Sequence, residues 1–106
     1  MDKSVSNFSE EEEKSLVGLL YNHISFGTTM EVFGELDKKG LSRLVNMRNI
    51  FRKLIFKYQL ISQISNQDFL LIGLVDLIGD DELAIFSKSN NNHLKNRALY
   101  FLKNKK

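Results

Sequence analysis

Apolar residues in this chain recur at helical spacing, and Val, Ile and Thr never settle into a sustained alternation of inside and outside. Ser9 followed by Glu12 makes a capping box, which predicts a helix beginning there. Glu10 to Glu13 fill its first turn, where the helix dipole favours negative charge. Leu16, Leu19, Leu20, His23 and Ile24 share a face, and the helix is expected to end near Ser25, with Gly27 as the breaker. Thr28 and Glu31 match a second capping box. They predict a short helix with Met30, Phe33 and Leu36 inward, closed by a turn over Asp37-Lys38-Lys39-Gly40.

The strongest periodicity follows. Over about 41–62, Leu44, Met47, Phe51, Leu54, Tyr58 and Ile61 fall at a/d heptad spacing, and Val45, Ile50 and Ile55 widen the stripe. The run is short for a free-standing coiled coil, so it reads as a bundle seam. Ser65 and Asp68 cap a further helix expected to run to about Ile78. It is apolar all round apart from Gly73 and Asp76, the mark of a helix at the centre of its domain. Gly79 is a candidate to end it, Asp80 to cap a short helix through Phe86, and the Asn90–Asn92 stretch to turn into a last helix carrying Leu94, Ala98, Phe101 and Leu102. The fold expected is all-α: one compact domain, a bundle of four to six helices, with those near 41–62 and 66–78 central. Residues 1–8 and 104–106 are expected to be flexible ends.

Composition narrows the function classes. The 106 residues suit one domain, 42% are hydrophobic, and there is no cysteine and no proline. Disulfides, thiol nucleophiles and zinc knuckles are therefore excluded. The N-terminal stretch has no apolar core of a signal peptide, and the most apolar run, Phe69 to Ile78, is about half of the roughly 20 residues that span a bilayer. A cytoplasmic protein with no membrane attachment is expected. Lys exceeds Arg by 11 to 4 and Asn is plentiful, which fits an AT-rich coding genome such as that of a low-GC bacterium or its phages and mobile elements.

No catalytic, cofactor or metal constellation emerges. His23 and His93 lack ligand spacing, Glu10 to Glu13 diverge around a helix, and the glycines form no phosphate loop. Asp76, in an apolar helix, calls for a cation from the 41–62 helix, for exposure on the one polar stripe of its own helix, or for a cation of a partner. The candidate chemistry lies in the charge pattern: residues 1–37, 38–58, 59–87 and 88–106 carry net charges of −6, +7, −5 and +6. Those blocks either satisfy each other or wait for a partner. The primary expectation is a non-enzymatic regulator, inhibitor or adaptor docking through a helical surface of Arg43, Arg48, Arg52, Lys53, Phe56 and Lys57. Phe8 and Tyr100 are further aromatic anchors, and a homodimer through the 41–62 seam is a second form of the same reading. The alternative is a DNA- or RNA-binding regulator using the basic blocks 38–58 and 88–106, with Asn92, Lys95, Asn96 and Arg97 as contacts. A helix-turn-helix match over Asp80–Leu99 is partial: Lys88 stands where the turn glycine belongs, and Arg97 where an apolar residue belongs.

Overall fold

A computed structural model describes residues 8–104. Among them are five α-helices, two short 3₁₀ turns and no strand: α1 (Glu10–Val32), α2 (Lys38–Lys57), α3 (Asn66–Leu71), α4 (Asp80–Phe86) and α5 (Asn92–Asn104). The all-α expectation holds. The predicted flexible ends fall largely outside the described residues. At their margins, Phe8 is exposed and Asn104 closes α5 with its amide donating to the Tyr100 carbonyl.

α1 does not stop at Ser25. It runs for 23 residues straight through Gly27, and its Ser9–Glu12 capping box is formed. An interior glycine costs only about 1 kcal/mol, and here its missing side chain has a use. A Cβ at position 27 would stand 2.8 Å from Leu44, so the glycine lets α2 approach closely. Thr28 does not begin a new helix. Its hydroxyl donates to the Ile24 carbonyl at 2.6 Å, and the ladder continues past it. The end comes at Gly34, at φ +71°, where Gly34 N–H donates to the Glu31 carbonyl and Glu35 N–H to that of Met30. Phe33, expected inward, is exposed.

α2 starts three residues earlier than expected because Asp37 caps it, accepting from Gly40 N–H at 2.8 Å. It also ends earlier. Gln59 takes the left-handed conformation (φ +56°), and Leu60 N–H donates back to the Ile55 carbonyl. Ile61 therefore sits in a 3₁₀ turn at the surface, and Val45 is exposed as well. The rest of the seam is the core: Leu44, Phe51, Leu54 and Ile55 are buried against Leu20 and Ile24 of α1, Phe69 and Leu70 of α3, and Leu94 and Ala98 of α5. The chain thus covers most of its own seam.

The apolar 66–78 segment is central but not one helix. Ser65 caps α3 as expected, and Gly73 (φ +84°) then ends it, with Gly73 N–H on the Leu70 carbonyl and Leu74 N–H on that of Phe69. Gly79 opens α4 instead of closing α3. Breaking the helix at Gly73 leaves Leu70, Ile72, Leu74 and Ile78 all buried. It also frees carbonyl groups at the end of α3, which other side chains must satisfy.

Candidate functional site

Two arginines bond carbonyl groups at this end of α3. Arg97 of α5 is 0% exposed; its Nε donates to the Leu70 carbonyl at 3.1 Å and its Nη1 to the Thr28 carbonyl at 3.0 Å. Arg48 of α2 donates from Nε to the Ile72 carbonyl at 3.2 Å, and from Nη2 to Thr28 Oγ1 at 3.0 Å and Glu31 at 2.6 Å. Their forked geometry suits this role, since one guanidinium reaches two acceptors in a plane. The Arg48 side chain fills the space where a Cβ at position 73 would lie. One node thus joins α1, α2, α3 and α5. Burial, and then the neighbouring Arg48 charge, push the Arg97 guanidinium down to about 10, while Glu31 opposes the shift. The Phe101 ring lies 5.1 Å from Arg97 Cζ.

A second cluster ties the start of α1 to the end of α2. Glu13 is only 5% exposed; it accepts from Lys57 at 2.7 Å and from the Tyr58 hydroxyl. The Lys57 hydrogen bond, then that of Tyr58, hold its carboxyl below the usual range, and the same bonds raise Lys57 and Tyr58. Arg52 pairs with Asp76, the cation that the sequence calls for at that carboxylate. On α1, burial and then the Asp68 carboxylate of α3 raise the Tyr21 hydroxyl.

These pairs redistribute the predicted site. Arg48, Arg52 and Lys57 have acidic partners within the chain, and Arg97 is inside the protein. Arg97 cannot touch a nucleic acid from there, and Arg48 is not part of an open basic stripe. Both were misassigned because linear charge does not reveal which cations turn inward. Arg43, Lys53 and Phe56 are exposed on α2, as are Asn92, Lys95 and Asn96 on α5, and Tyr100 is half-buried. The structure therefore divides the predicted surface and does not assemble it. Asn91 caps α5, through Oδ1 to the N–H groups of His93 and Leu94.

A different surface does assemble. Leu16, Leu19, His23, Phe26, Met30 and the C-cap Phe33 follow one another at three- and four-residue steps along α1, on a face turned away from Leu20, Ile24 and Thr28, with Leu16 and Met30 half-buried and Leu16 also packed against the core. Leu19, Phe26 and Phe33 are 57%, 68% and 63% exposed. Two concavities lie on this face. One is flanked by Phe8, Leu16 and Leu19; the other, of about 190 Å³, lies between His23 and Phe26 of α1 and Arg43 and Met47 of α2. Lys38, Lys39 and Arg43 are exposed at this end and have no ion pair among the described residues. The spacing was visible in the sequence, but reading Gly27 as a breaker cut the stripe in two.

Among the described residues no group of three or more His, Cys, Asp or Glu side chains could hold a metal ion, and no helix is long and apolar enough to cross a membrane. Comparison with protein-family models, curated proteins and solved structures finds no match.

Proposed function

We propose that this chain is a non-enzymatic interaction protein of the cytoplasm, a regulator, inhibitor or adaptor, which docks through the outer face of α1. The observation that carries the reading is the set of exposed residues Leu19, Phe26 and Phe33, one every seven positions along a helix whose opposite face is in the core. Isolated exposed apolar residues are ordinary, but a contiguous apolar stripe bordered by charge is the usual form of a docking surface. Aromatic side chains beside Arg43 supply the residue types that dominate such contacts. The nucleic-acid alternative is the weaker proposal, because four of its cations have partners or burial within the chain.

A photoreactive amino acid at position 26 tests the docking reading in cells expressing the protein. Crosslinked adducts at position 26, absent from a control at exposed Leu99 and lost in Leu19→Glu, are expected. Equal labelling at both positions, or none, overturns it. Retention on duplex DNA at low salt, lost steeply as salt rises, would favour the alternative.

A further inference from the structure

The exposed stripe of α1 has a symmetry that selects its occupant. Leu16, Leu19, His23, Phe26, Met30 and Phe33 alternate steps of three and four residues, the repeat by which two helices pack along a seam. Laid against itself antiparallel, the stripe has a two-fold axis between His23 and Phe26. In that register Leu16 meets Phe33 of the second copy, Leu19 meets Met30, and His23 meets Phe26. Every position finds a counterpart, and each pairing occurs twice, as an isologous interface requires.

Charge fits the same register. Glu10 and Glu11 stand exposed in the first turn of α1, while Lys38 and Lys39 open α2 beside the other end of α1. The antiparallel arrangement brings Glu10 and Glu11 of each copy level with Lys38 and Lys39 of the other, at an end that also carries the exposed Glu35 and Asp37. A parallel arrangement would set acid against acid and base against base. The helix has 23 residues, about 34 Å of length.

We propose that the occupant of this surface is a second copy of the chain, docked antiparallel through α1; this rests on the docking reading above. The homodimer uses the outer face of α1, not the α2 seam that the core occupies.

Sedimentation equilibrium on the full chain tests it, with two charge-reversed variants, Glu10→Lys/Glu11→Lys and Lys38→Glu/Lys39→Glu. All lie at exposed helix starts, and circular dichroism confirms that each variant folds. The wild type is expected to dimerise reversibly, with a dissociation constant on the order of tens of micromolar for an interface of this size. Each variant alone should dimerise at least about tenfold more weakly, because both of its ends carry like charges. An equimolar mixture should recover near wild-type association, because both ends of the mixed dimer are again complementary. A wild type that stays monomeric at several hundred micromolar, or a mixture no tighter than the variants alone, overturns the proposal. If the wild type is monomeric yet position 26 still crosslinks to a different protein, the homodimer fails and the docking reading stands. If neither occurs, both fail.

Discussion

Arg48 and Arg97 on one side, and Lys38, Lys39 and Arg43 on the other, all come from basic blocks of sequence, yet they end in opposite environments. The first pair lies inward, where guanidiniums donate to the Leu70 and Ile72 carbonyl groups beside the break at Gly73. The second set stands in solvent beside an apolar stripe. What separates them is register relative to the core. Arg97 follows Leu94 by three residues and precedes Ala98 by one, so it lies on the buried face of α5. Lys38 and Lys39 occupy a first turn capped by Asp37 at the end of the molecule. Inward cations determine the fold; outward ones are available to a partner.

The contrast breaks most easily at Arg97. Arg97→Met removes two hydrogen bonds to buried carbonyls and should lower stability by about 3 kcal/mol in urea denaturation. Arg97→Lys should recover little of it, since an ammonium cannot serve both acceptors in one plane. Lys38→Glu/Lys39→Glu should leave the monomer's stability within about 0.5 kcal/mol. Equal losses in the two sets would erase the distinction.

Gly73→Ala probes the same node from the backbone. It adds a Cβ at positive φ, in space that Arg48 occupies, and should cost about 2–3 kcal/mol. A neutral result would mean that Arg48 is not anchored there. Gln59→Gly should act in the other direction, raising the melting temperature through a gain of about 1 kcal/mol, because Gln59 holds a left-handed conformation with a full helix-closing hydrogen-bond pair.

A smaller effect is confined to a pH window. Glu13 has its carboxyl held below its ordinary 4.5 by Lys57 and then Tyr58. Its contribution is therefore complete above about pH 4.5 and is lost as pH falls through the depressed value. Glu13→Gln should be less stable than the wild type at neutral pH, and the two should converge in acid. A constant gap down to pH 2 would show that the carboxylate charge is not what stabilises the cluster.

How far the sequence revealed all this depended on the kind of signal. The Ser9 and Ser65 regions carried their capping chemistry in adjacent residues, whereas Asp37, read as a turn, caps α2; the a/d stripe of α2 placed Leu44, Phe51 and Leu54 in the core. Glycines were harder to read. Gly27 is tolerated inside a helix because Leu44 packs over it, whereas Gly73 breaks one because Arg48 fills the vacated space and takes a freed carbonyl. Neither outcome can be read locally, since each depends on a side chain brought from another helix. The candidate site was lost for the same reason: dividing α1 at Gly27 separated Leu19 from Phe26 and Phe33, and turned Phe33 inward. The basic blocks looked uniform because no local feature distinguishes an arginine that will be buried from one that will not.

The central claim is that the outer face of α1 belongs to an interface and not to the core. The most direct test is the urea midpoint of wild type and Phe26→Ser, each at low and high protein concentration. The wild-type midpoint should rise with concentration, as mass action requires of a dimer. That of Phe26→Ser should not move, and should match the dilute wild type. A wild-type midpoint independent of concentration, together with a destabilised Phe26→Ser, would place Phe26 among the residues that hold the monomer together and contradict the account.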